Sequence, residues 1–292
     1  RLQKMEWKTK HKEETIGEIQ RCYATGEWFA EVATQVGRRL VNPEEVEKQL
    51  NLDAQKKTAC IFSHIFWDAT FFWGVDLFDN YEDWFVKTVR AACENTRLNW
   101  LIKVHPANHT KNIRDGVEGE PSEMAAIRKM APQGLPEHVR VIGAEDKLNT
   151  FSLFQVLDYC LTVRGTVGIE AAALGIRTLT AGTGRYDRHG FTKDFGSTEE
   201  YLRQLCTLHE LPSPTKEEIE RALRYAYGVF LLRPTPTMAL NSANDLDEGA
   251  KLRVRFNVSN DDEFLRSPEI CKLAEWIETE REDFIWNDSN TT

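Results

Sequence analysis

From Thr58 to Ala181 the sequence alternates short apolar runs with amphipathic stretches, and this alternation limits the fold more than any other feature. The runs are Thr58–His64, Asn99–Val104, Val139–Ile142, Leu157–Val163 and Arg177–Ala181. Most are apolar at nearly every position rather than at every second one, which is the pattern of a strand covered on both faces. Helical spacing occupies the intervals, predicting helices over Tyr81–Asn95, Ser122–Met130 and Ile169–Leu174. Strand, helix and strand in repeated order predict an α/β fold with a parallel sheet and helices on its faces.

The flanks differ in character. Residues 1–57 are polar and helical, with spacing that predicts helices over Glu13–Arg21, Trp28–Leu40 and Pro43–Leu50. Asn42-Pro43-Glu44-Glu45 is a start signal with proline at the first helical position. After the sheet region, helices are predicted over Thr198–Leu208 and Lys216–Leu232. Pro234-Thr-Pro236 marks a break, and the tail reads as an irregular acidic stretch followed by an amphipathic helix, Pro268–Glu280. The expected organisation is therefore a helical segment at 1–57, a ligand-binding domain at 58–235 and a tail with a packing helix at 236–292.

Composition narrows the function. Charged residues make up 28% and hydrophobic ones 41%, which excludes wholesale disorder. Lys and Arg number 37 against 46 Asp and Glu, a net charge of −9, opposite to the basic balance expected of a nucleic-acid binder. No apolar stretch has the length needed to cross a bilayer. The charged opening is unlike a signal peptide, and with Arg1 in place of an initiator methionine the chain is expected to be a fragment or a processed form. The six cysteines are scattered without paired-ligand spacing, which points to a reducing, cytoplasmic setting and leaves peripheral attachment to a membrane open.

In open parallel sheets, ligands bind beyond the carboxyl ends of the strands. The polar residues expected there are Ser63 and His64, Lys103 and His105, Arg164 to Thr166, and Gly182 to Tyr186. The turn Arg164-Gly165-Thr166-Val167-Gly168 suits a phosphate, because glycines admit close backbone approach and the following helix start favours negative charge. Glu170, one helical turn on, could accept hydrogen bonds from ribose hydroxyls. Equally, the turn could need glycine only to reverse the chain, with Glu170 a carboxylate favoured at a helix start. The turn lacks the spacing of the dinucleotide fingerprint and of the Walker loop. Ser63-His64 with Asp68 evokes a hydrolase, but no Gly-x-Ser-x-Gly elbow is present. His64, His105, His109 and Asp68 form no recognised ligand pattern, so no metal is expected. The aromatic residues between Phe66 and Phe78 offer either an acceptor platform or core.

The order of these motifs resembles the capsule polysaccharide synthesis family. The carriers are Lys103-Val-His-Pro106, Asp158 to Thr166, Gly168-Ile-Glu-Ala-Ala-Ala-Leu-Gly175 and Gly182-Thr-Gly-Arg-Tyr186, within roughly residues 58–210. The resemblance implies a Rossmann-like donor domain of GT-B type, part of a glycosyltransferase that moves a sugar from a nucleotide donor to a glycan acceptor. It favours a CMP-linked donor such as CMP-Kdo over a UDP-linked one, with no cofactor beyond that substrate. It places His105 and Thr166 on the donor phosphate and Glu170 on the nucleoside, with Ser63, His64, Lys103, Arg164, Gly165, Gly182, Arg185 and Tyr186 around them. Asp68 is the candidate base. Two departures stand out: Gly165-Thr166 replaces the family's Ser-Ser or Ser-Thr, and only a helical segment precedes residue 58 where the family has an acceptor domain, so either that domain lies outside this chain or the acceptor is held differently. A sugar-nucleotide epimerase and a non-catalytic glycan-binding scaffold are the alternatives.

Overall fold

The computed structural model describes residues 2–25, 37–66, 74–106, 119–245, 251–282 and 284–286. Its centre is a sheet of β1 (Thr58–Phe62), β2 (Asn99–Lys103), β3 (Val139–Ile142), β4 (Tyr159–Thr162), β5 (Arg177–Thr180) and β6 (Thr192–Lys193). All neighbours pair in parallel, in the order β3-β2-β1-β4-β5-β6. The chain winds outward from β1 in one direction, then returns and winds outward in the other. This doubly wound, Rossmann-type order puts a topological switch point between β1 and β4, where loops on the carboxyl edge part and leave a crevice.

Burial explains the apolar runs. Alternate residues of β1 and β2 supply both faces: Ala59, Ile61, Trp100 and Ile102 join one buried cluster, Cys60, Phe62 and Leu101 the other. The first cluster is covered by α3 (Tyr81–Glu94), α4 (Ser122–Met130) and α7 (Thr198–Cys206), through Trp84, Phe85, Ile127 and Tyr201. The second is covered by α1 (Thr9–Thr25), α2 (Pro43–Gln49), α5 (Thr150–Phe154), α6 (Val167–Ala173) and α8 (Lys216–Tyr227). Ile19, Tyr23 and Val46 thus belong to the same core as the sheet, so the amino-terminal helices roof one of its faces.

Local chemistry fixes the helix ends. The Asn42 side chain accepts from the Glu45 N–H with Pro43 at the helix start, and Asn80 caps α3 in the same way. Thr215 and Glu218 form a reciprocal capping box on α8, and Glu218 also takes a two-pronged contact from Arg177 at 2.7 and 3.0 Å, tying α8 to β5.

Some expectations change. Of the predicted helix Trp28–Leu40, residues 26–36 lie outside those described, and the remainder is not helical: Arg39 forms a bridge with Leu148, and Leu40 is exposed. The helix from Lys216 continues past Tyr227 as a π turn over Gly228–Leu232. The tail is not irregular throughout. An antiparallel hairpin of β7 (Leu240–Asp245) and β8 (Lys251–Phe256) precedes α9 (Asp261–Leu265) and α10 (Pro268–Ile277). Among the described residues, no helix is long and apolar enough to cross a membrane.

Candidate functional site

Because the strands are parallel, the ends of β1, β2, β4 and β5 share one edge, and the groups beyond them gather about His64. Its ring stacks on Tyr81 with centroids 4.4 Å apart. Nε2 accepts the Val163 N–H at 3.1 Å and lies 3.0 Å from the Thr162 hydroxyl, which itself accepts the Gly165 N–H at 3.1 Å. A ring nitrogen that accepts a backbone N–H carries no proton, so the neutral ring holds its proton on Nδ1. Burial, and then the neighbouring His105, Arg164 and Arg185, push the His64 pKa down to about 3. Three basic side chains from three separate strand ends therefore act on one neutral imidazole at the switch point.

The support beneath them is closely fitted. Arg164 is buried and its Nη2 is ion-paired with Oδ1 of Asp76. Asp76 is held by short antiparallel pairing of its segment with residues 181–183: Leu77 N–H to Ala181 O at 3.1 Å, and Thr183 N–H to Val75 O at 2.9 Å. Burial raises the Asp76 carboxyl and outweighs the opposing pull of Arg164. Gly182 leaves room for this pair, since a Cβ there would stand 2.7 Å from Arg164 Nη2 and 3.1 Å from Asp76 Oδ1. Gly168 is required for another reason: a Cβ would fall 2.2 Å from the Tyr186 hydroxyl, which donates to the Gly165 carbonyl at 2.7 Å and braces the turn.

The sequence-predicted residues divide accordingly. His64, His105, Arg164, Gly165, Thr166 and Arg185 sit together at the edge. Thr166 is half-buried at the start of α6, and its side chain makes no capping bond. The others have different positions from those expected. Ser63 is buried; its hydroxyl donates to Glu123 at 2.9 Å and accepts the His105 N–H at 2.9 Å, so it joins β1 to the end of β2 rather than facing a ligand. Lys103 is buried beside Arg38, with its ammonium 3.4 Å from the Gly143 carbonyl; burial and then Arg38 lower its pKa to about 8. It belongs to the β2–β3 corner, not to the His64 group. Tyr186 and Gly182 support the turn instead of offering contacts of their own. Glu170 is buried and hydrogen-bonded to the Tyr23 hydroxyl of α1, and burial raises its pKa to about 7. A ribose hydroxyl would have to displace Tyr23 to reach it. Asp68 and His109 lie outside the described residues.

Sequence reasoning missed Asp76, Glu123, Thr162 and Tyr23. Glu123 carried a weak signal, an acidic residue in the first turn of a predicted helix. Tyr23 carried none, because its partner is 147 residues away. Among the described residues no cluster of His, Cys, Asp and Glu could hold a metal ion. Chemically, the edge gathers Arg164, already paired with Asp76, together with Arg185 and His105 beside the neutral ring of His64.

Comparison with known proteins places this architecture only distantly. No family model matches the chain, and no curated protein does either. Among solved structures, KpsC of Thermosulfurimonas dismutans, a beta Kdo 2,4 transferase, shares 16% identity at a TM-score of 0.43, over 76% of this chain and 56% of that one. The UDP-GlcNAc 2-epimerase of Neisseria meningitidis shares 15% identity at a TM-score of 0.42, over 74% and 48%. Sucrose-phosphate synthase of Thermosynechococcus elongatus shares 13% at 0.41, over 73% and 52%. The chain spans about half the length of these structures.

Proposed function

We propose that this chain binds a nucleotide sugar at the carboxyl edge of the sheet and forms the donor-binding part of a glycosyltransferase of the capsule polysaccharide synthesis type, with a CMP-linked donor favoured. The observation that carries the reading is the convergence of His105, Arg164 and Arg185 on a neutral His64 at the switch point. In that reading the donor phosphate lies among these groups, where charge-assisted hydrogen bonds are strongest. The same groups stabilise the negative charge that grows on the phosphate as the sugar departs. Thr166 contributes a hydroxyl. The acceptor-binding domain and the base that activates the acceptor are assigned to parts of the enzyme outside the described residues, Asp68 among them.

Calorimetry with CMP, UMP, UDP and ADP tests the proposal, with His64 followed by NMR. CMP is expected to bind best. A bound phosphate opposes the repulsion that depresses His64, so its pKa should rise on binding. Tight UDP binding without CMP binding would keep the transferase and discard the CMP donor. Binding of none of the four would sink the donor-site reading and favour the non-catalytic scaffold.

A further inference from the structure

The tail beyond Pro236 holds apolar residues that the described chain leaves uncovered. β7 and β8 form a two-stranded sheet that packs extensively on no other described helix or strand, and two strands alone are marginally stable in water. In β8, Val254 and Phe256 are exposed, and so is Arg255 between them. Successive residues of a strand point to opposite faces, so both faces of the hairpin are open at this end, and Phe256 keeps 66% of its surface in solvent.

α10 is open as well, on one side. Lys272 donates to the Trp286 carbonyl, its ammonium 4.8 Å from the centre of that ring, and Trp276 packs against Phe284 at 5.6 Å. Residues 284–286 thus take the side of Lys272 and Trp276. Leu273 and Ile277, one turn apart on the neighbouring side, are exposed, as is Leu265 of α9. The tail still has a definite shape. The buried Glu269 carboxylate at the start of α10 accepts the Ala239 N–H at 2.5 Å, and Asn257 donates to the Met238 carbonyl at 3.0 Å, which ties helix and hairpin at one end. Charge is divided between the two open surfaces. β8 contains Lys251, Arg253 and Arg255 and no acidic residue, whereas α9 opens with Asp261, Asp262 and Glu263 and α10 carries Glu275. A surface that joins a basic apolar strand to an acidic apolar helix is complementary to itself, which is the condition for a twofold interface.

We propose that the tail is an arm that joins two copies of this chain. Val254 and Phe256 of each β8 seat against Leu273 and Ile277 in α10 of the second copy, and the basic strand faces the acidic start of α9. The twofold axis repeats the contact, so both apolar patches leave water in each copy, and the opposite charges fix the orientation. A partner of another kind would need to match only one of the two surfaces, and the chain carries both. The inference is independent of the donor-site reading.

Sedimentation velocity of the full chain over a range of concentrations is the test, and a monomer–dimer equilibrium is the expected result. Phe256→Asp and Ile277→Asp alter exposed side chains, so each should keep the circular dichroism spectrum of the wild type while dimerisation weakens by more than about tenfold. Charge exchange examines the pairing itself. Arg255→Glu alone and Asp261→Lys/Asp262→Lys alone should each weaken self-association about tenfold. An equimolar mixture of these two variants should dimerise as well as wild type, because every strand then faces a helix of opposite sign. Should an aspartate variant lose its native spectrum, the charge-exchanged mixture decides. A wild-type chain that stays monomeric at every concentration overturns the proposal, and flotation of that monomer with phosphatidylcholine vesicles would give the face to a lipid surface instead. Dimers that persist in both aspartate variants, or a mixture that associates no better than its components, overturn it as well.

Discussion

Two carboxylates lie on either side of the turn at 164–168, and they are treated in opposite ways. Asp76, toward the open edge, meets the guanidinium of Arg164. Glu170, toward the roof formed by α1, meets the neutral hydroxyl of Tyr23. The first arrangement keeps charge at the edge, where it can orient a guanidinium toward a ligand. The second suits a group that can take up a proton, and burial has raised the Glu170 pKa to about 7. The turn therefore has an electrostatic side and a structural side, and proximity in sequence to a glycine-rich turn does not decide on which side a residue falls.

Removing the charged partner should have the largest effect. Arg164→Ala leaves Asp76 nearly buried without its counter-ion and should cost about 3 kcal/mol in urea unfolding; a loss below about 1 kcal/mol would mean that solvent, not Arg164, holds the carboxylate. The Glu170 side should respond to pH instead. A carboxyl whose folded pKa exceeds its unfolded value releases its proton first in the unfolded chain, so stability falls as pH rises from about 4.3 to about 7 and is level above that. Glu170→Gln should gain about 2–3 kcal/mol relative to wild type between pH 5 and pH 8. A constant difference across that range would show that Glu170 is ionised throughout. His64 works in the other direction, since its depressed pKa removes stability as pH falls below about 6.5, and the difference between the two proteins cancels it.

Smaller effects sharpen the contrast. Tyr23→Phe removes one hydrogen bond from a group able to protonate and should cost about 1 kcal/mol at neutral pH, well short of Arg164→Ala. His105→Ala should change stability by less than about 0.5 kcal/mol, because the residue is only half-buried, while CMP binding by calorimetry falls sharply. Unaltered CMP binding in a normally folded variant would take His105 out of the site.

The sheet was legible because each central strand carries a continuous apolar run, and strand ends were placed within one or two residues. Their alignment on one edge followed from parallel pairing, and with it the grouping of His64, His105 and Arg164. What could not be read was which way a polar residue at that edge turns. Lys103 and His105 stand two positions apart, yet the strand ends between them and the two side chains reach different surroundings. Ser63 and Tyr186 carry hydroxyls suited to a ligand, and only tertiary structure supplies the Glu123 and Gly165 partners that engage them. The hairpin over Leu240–Phe256 was missed although Leu252, Val254 and Phe256 alternate with polar residues, because its first strand is rich in Asn, Ser and Asp, which are depleted in strands.

The pairing of β1 has a consequence for how the chain acquires its structure. The Thr58 N–H bonds to Asp158, 100 residues on, and Tyr23 reaches Glu170 across 147. Contacts of such long range cannot form early, since the intervening loop must close before any pairing compensates for it. During synthesis at roughly 5–20 residues per second, α1 emerges well before the helix it will cover, and its apolar face stays unmatched for many seconds. Residues 1–57 expressed alone should accordingly show little helix by circular dichroism. Refolding of the full chain should be slow, with burial of Tyr23 among its last events.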